Sequence, residues 1–160
     1  MRKIHTDLLF YKIHKMTAEP NDYVCWAIGL LENNQTSPSL LMLASLRTRI
    51  NPFEVENYFH RAVRELAIQR PTIEACNIQV TRCLLSKIVE ENEKAFDHAS
   101  TLYQVLRDDF PDADSATWFA LSELIDDYRY GDNSEKLTED ELIRRIVEKA
   151  KEQLDAMDRE

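Results

Sequence analysis

The chain has 160 residues and a mass of 18.8 kDa, is 44% hydrophobic and 31% charged, and carries a formal net charge of −9. A chain of that size and apolar content suits one domain, in which roughly 70% of the unfolded surface becomes buried, and it excludes wholesale disorder. Its only glycines are Gly29 and Gly131, which nearly excludes Gly-rich phosphate loops, dinucleotide-binding turns and tight multi-hairpin sheets.

Ile4 to Lys15, with Ile4, Leu8, Leu9 and Ile13, predicts a first helix, a possible appendage over residues 1–16. Pro20 breaks the chain between Thr17 and Asn21. Asp22 then caps a second helix to about Asn33, striped by Val24, Ala27, Ile28 and Leu31 beside Trp26. Ser37-Pro38 starts a third, to about Arg47. That helix is apolar nearly all round, so it is expected to be central. Asn51-Pro52-Phe53-Glu54 is the strongest start signal. It opens a helix to about Ile68 with Val55, Phe59, Ala62, Val63 and Leu66 on one face.

Pro71-Thr72 restarts the chain as a long helix to about Asn92, with Ile73, Cys76, Val80, Cys83, Leu84 and Ile88 at helical spacing. The polar stretch Glu90 to Lys94 predicts a corner or an unbroken continuation. Phe96, Ala99, Leu102, Tyr103, Leu106 and Phe110 stripe the next helix, which Pro111 stops. Asp114 or Ser115 caps a seventh, carrying Trp118, Leu121, Leu124, Ile125 and Tyr128. Tyr130 to Leu137 is a loop, and Thr138-Glu139-Asp140-Glu141 is a capping box opening a helix to about Met157. No segment alternates like a strand. The class is therefore all-α: one domain of seven or eight antiparallel helices stacked as αα-hairpins, in a compact bundle or a short superhelical array.

Charge divides unevenly along the chain. Residues 1–89 hold 11 Lys/Arg and 8 Asp/Glu, whereas residues 90–160 hold 9 and 21. The acidic half repels phosphates and anionic membranes and attracts a basic protein. Arg47, Arg49, Arg61, Arg64 and Arg70 are the one basic concentration, an anion or RNA patch or a complement to acidic helices. Cys25, Cys76 and Cys83 are odd in number and have no paired short spacing, unlike a disulfide framework. No stretch reaches the ~20 apolar residues of a membrane span, and no signal peptide is visible, so a cytoplasmic protein is expected.

No catalytic motif emerges. Glu56 and His60 share a helical face but lack the second histidine of a zincin. Glu90, Glu91, Glu93 and Asp97 have no accompanying Glu-x-x-His. The acids around Pro111 and Gly131 lack calcium-loop spacing. No metal or cofactor is implied. Trp118 and Phe119 are adjacent, so they cannot point the same way, and one of them is the candidate for exposure.

Trp26-Ala27, Ser37-Pro38-Ser39-Leu40, Leu43-Ala44 and Asn51 through Glu56, with Leu84 to Val89 and the acidic corner before Ala95, together resemble small bacterial helical proteins without an assigned activity. The resemblance implies an immunity or adaptor type of protein and carries over no functional residue. The expected function is a non-catalytic interaction module for a basic partner, such as a cationic toxin. Asp108, Asp109, Asp112, Asp126 and Asp127 form its rim, with Trp118 or Phe119 as anchor. The alternatives are a hydrolase or metal-dependent enzyme with dispersed residues and a nucleic-acid regulator using the arginines. Monomer and homodimer are both open.

Overall fold

The computed structural model describes residues 2–109 and 113–159. Among them are eight α-helices, one 3-10 turn and no strand. The helices are α1 (Arg2–His14), α2 (Pro20–Glu32), α3 (Pro38–Ser45), α4 (Pro52–Glu65), α5 (Ile73–Glu90), α6 (Ala95–Asp109), α7 (Ala113–Tyr130) and α8 (Glu139–Met157). The chain divides into two compact units, Met1–Gln79 and Val80–Glu160.

Local signals explain most helix starts. Ser37 accepts the Leu40 N–H at 3.2 Å ahead of Pro38. Asn51 accepts the Phe53 N–H at 3.0 Å ahead of Pro52. Thr138 and Glu141 bond reciprocally, Thr138 Oγ1 accepting the Glu141 N–H and Glu141 Oε2 accepting the Thr138 N–H. Each contact satisfies an N–H group that the first helical turn leaves without a backbone acceptor.

Four expectations need correction. The expected break is present but falls at residues 15–19, and Pro20 itself opens α2, because proline at the first helical position loses no needed hydrogen bond. Asp22 sits inside that first turn, where its carboxylate accepts the Glu19 N–H at 2.8 Å. Asp114 and Ser115 likewise lie inside α7, which begins at Ala113. Finally, α3 is not central. Leu40 and Leu43 are buried, but Leu41 is 52% exposed and Met42 also faces out. A short helix with one face against α2 and α4 leaves its other face open, whatever its composition.

In the first unit, Phe59 of α4 is the hub of the core. Its ring centroid lies 5.6 Å from Phe10 of α1 and 5.0 Å from both Tyr23 and Trp26 of α2. The two contacts to α2 are edge-on, the arrangement that aromatic quadrupoles favour. Leu9 and Phe10 of α1 belong to this core. Helices α1 and α2 run antiparallel, since Lys12 meets Asp22 and Thr6 meets Trp26. Helices α3 and α4 do too, with Ser39 bound to Glu65 through Ser39 N–H at 3.0 Å and Oγ at 2.6 Å.

In the second unit, Trp118, Leu102, Ile125, Leu142 and Ile146 form the centre of a separate core. Asp97 meets Arg129 at 2.9 Å and Tyr103 meets Phe119 at 5.5 Å, which fixes α6 and α7 as antiparallel. Trp118 and Gln153 do the same for α7 and α8. The corner between α5 and α6 is a real break, made by the 3-10 turn Asn92–Lys94.

Candidate functional site

The adjacent aromatics of α7 are resolved cleanly. Trp118 is 0% exposed, and its indole N–H donates to Gln153 Oε1 at 2.7 Å. It belongs to the core, which removes it as a surface anchor. Phe119 is 47% exposed, and its ring lies 5.5 Å from that of Tyr103 of α6, tilted by 47°. The Arg107 guanidinium lies over the same Tyr103 ring at 5.9 Å, and Arg107 Nε donates to Asp108 at 2.9 Å. The result is a cluster in which exposed Phe119 and Arg107 both meet half-buried Tyr103, edged by Asp108. Aromatic and arginine side chains supported in this way are common anchors in protein interfaces.

The five candidate acids do not gather around that cluster. Asp108 is exposed and Asp109 half-buried at the C-terminal end of α6. Asp112 lies outside the described residues. Asp126 and Asp127 sit near the far end of α7, about 20 Å along the helix from Ala113 at ~1.5 Å per residue. Asp126 is exposed, but Asp127 is occupied locally. Its Oδ2 accepts the Ser134 N–H at 2.8 Å, and its backbone oxygen accepts the N–H groups of Gly131 and Asn133. Asp127 shapes the loop before α8.

Other acids of the second unit also have structural partners. Glu135 pairs with Arg145 at 3.2 Å and Asp158 with Arg82. Glu91 takes Lys94 and His98, and these contacts hold its carboxyl below the usual glutamate range. Residues 80–160 nevertheless hold 21 Asp/Glu against 11 Lys/Arg. The negative field therefore belongs to the unit as a whole, not to one cluster.

The arginines of the first unit separate as well. Arg47 and Arg49 lie in the loop before α4, while Arg61 and Arg64 lie near its C-terminal end and Arg70 just beyond it. Arg61 is about 13 Å along α4 from Pro52 at ~1.5 Å per residue. Arg61 stacks over Tyr58, and Arg70 Nη2 lies 3.2 Å from His60 Nδ1. Among the described residues, no three His, Cys, Asp or Glu side chains converge as a metal site. No described helix is long and apolar enough to cross a membrane.

Sequence reasoning missed Tyr103 and Arg107. Tyr103 reads as one more residue of a core stripe, and only its pairing with Phe119 shows that it stands at the surface edge. No family model, curated protein or solved structure matches the chain.

Proposed function

We propose that the chain is a non-catalytic interaction protein whose second unit binds a basic protein. The supporting observation is the Phe119–Tyr103–Arg107 cluster, in which Phe119 is half-exposed, in a unit with 21 acids against 11 bases. A partner would bury the open half of Phe119, an effect of about 1 to 2 kcal/mol for such an aromatic contact. The field of the unit would draw the partner in and exclude nucleic acid and other polyanions. An immunity protein holding a cationic toxin, such as a nuclease, is the concrete form of this reading.

The test isolates the tagged chain from its own cells with low-salt and high-salt washes, then measures affinity for the protein that co-purifies. A single stoichiometric basic protein released by salt is expected. Phe119→Ala should weaken its binding by about tenfold. An Asp108→Asn/Asp109→Asn/Asp126→Asn variant should weaken it mainly at low salt. Recovery of no basic protein, or affinity unchanged in both variants, overturns the reading.

A further inference from the structure

Two solvent-facing helix stripes, one in each unit, carry complementary side chains. On α4, Phe53, Asn57, Arg61 and Arg64 follow one another at intervals of three or four residues and so share a face, opposite the buried Val55 and Phe59. Phe53 is 84% exposed, and the other three are exposed along with it. On α7, Phe119, Glu123, Asp126 and Tyr130 repeat the spacing with the opposite charge, opposite the buried Leu121 and Ile125. Phe119 is half-exposed and Tyr130 is 82% exposed, with Glu123 and Asp126 exposed between them.

The charges at the middle of each stripe are uncommitted. Among the described residues, Arg61, Arg64, Glu123 and Asp126 form no ion pair. Arg61 lies over the Tyr58 ring, 5.8 Å from its centroid. On α4 itself, Glu65 accepts from Ser39, and Glu54 and Glu56 lie in the first two turns. The arginines of α6 and α7 are taken in another direction, Arg107 by Asp108 and Arg129 by Asp97.

Arg61 and Arg64 are three residues apart, as are Glu123 and Asp126, so each pair spans about 4.5 Å along its helix at ~1.5 Å per residue. Two helices laid face to face therefore bring both guanidinium groups onto both carboxylates in one register. The exposed rings at the stripe ends would then lose their contact with water. We propose that the α4 stripe of one copy docks on the α7 stripe of a second copy. Charge argues for this occupant: the second unit holds 21 Asp/Glu against 11 Lys/Arg, a field that opposes a nucleic acid on the arginines and draws another copy's arginines in. Every copy carries both stripes, so the association closes as a reciprocal pair or runs head to tail. The proposal rests on the reading of the Phe119 surface as a site for a basic protein, with α4 of a second copy as one such occupant.

Sedimentation velocity of the full chain from about 5 to 500 µM tests it. The sedimentation coefficient should rise with concentration, and the association should weaken about tenfold between about 50 and 500 mM salt. Arg61→Glu/Arg64→Glu and Glu123→Arg/Asp126→Arg should each remain monomeric, since each sets like charges against each other. An equimolar mixture of the two should associate again, because each restores the opposite charge that the other lacks. That recovery also shows that both variants are folded. Phe53→Ala should weaken the parent's association about tenfold. A parent that stays monomeric throughout, charge variants that associate as well as the parent, or a mixture that stays monomeric overturns the proposal. So does a monomeric parent whose Arg61→Glu/Arg64→Glu variant loses affinity for a single-stranded oligonucleotide, which assigns the arginines to a polyanion. The same variant leaves the second unit unchanged, so it should still capture the salt-released basic protein. Capture by a chain that never self-associates overturns this proposal alone, whereas self-association without capture overturns only the earlier reading.

Discussion

The Trp118–Gln153 hydrogen bond makes a sharp energetic prediction. The bond is 2.7 Å long and both residues are buried. Gln153→Leu keeps much of the side-chain volume but leaves the indole N–H with no acceptor in an apolar core. An orphaned buried donor costs about 1 to 3 kcal/mol, more than the net worth of the bond itself. We therefore expect a loss of about 2 kcal/mol. With an m-value of about 2 kcal/mol/M, the urea midpoint falls by about 1 M. Trp118→Phe also destabilises, because the ring shrinks inside a packed core and strands the glutamine oxygen. The double variant has no orphaned group, so it should be more stable than the two losses added together, by about 1 to 2 kcal/mol of coupling. Urea melts of all four proteins followed by far-UV circular dichroism complete the cycle. Gln153→Leu as stable as the parent, or strictly additive losses, would refute the reasoning.

Phe59→Ala should cost about 3 to 5 kcal/mol, since it removes a fully buried ring and its contacts with Phe10, Tyr23 and Trp26 at once; a melt shifted by less than 1 M urea would contradict the hub assignment. Acid should weaken the α3–α4 tie. The Ser39 hydroxyl, the Ser39 N–H and then the Ser37 hydroxyl hold the Glu65 carboxyl below the usual glutamate range, against a smaller opposing effect of burial, with a further contribution from Arg61. Because the folded value is the lower one, this stabilisation is fully present above the unfolded glutamate value and is lost as pH falls through the folded value. Glu65→Gln should therefore melt below the parent at pH 7 and converge with it in acid, as thermal melts across the range would show. A gap that persists at low pH would point to packing as its cause.

The features legible in the sequence are those set by a few neighbouring residues. Ser37-Pro38, Asn51-Pro52 and Thr138 to Glu141 each mark a helix start correctly, because a cap bonds only within its own first turn. Pro20 misled because Glu19 is a poor cap by type, and the useful signal was Asp22 three residues later. Facing is harder to read than helicity. Leu41 and Met42 are as apolar as Leu40 and Leu43, and only the positions of α2 and α4 decide which pair is covered. The same holds for Trp118 and Phe119.

The acids illustrate a further limit, and it shapes what a partner should feel. Counting along the chain joins Asp108 to Asp127, while the hairpin of α6 and α7 sets the two ends of that series far apart and spends Asp127 on a loop. What survives folding is a field spread over exposed side chains such as Glu123, Asp126, Asp132, Asp140 and Asp155. A diffuse field acts on approach, where charges a Debye length of about 8 Å away still count, and contributes little once contact excludes water at only one spot. A buried aromatic acts in the opposite way, since it matters only after contact. Removing surface acids should therefore slow association and flatten its salt dependence, whereas Phe119→Ala should hasten dissociation and leave the association rate nearly unchanged. If both changes fell on dissociation, the acids would be making direct contacts, and the diffuse field would not be what recruits the partner.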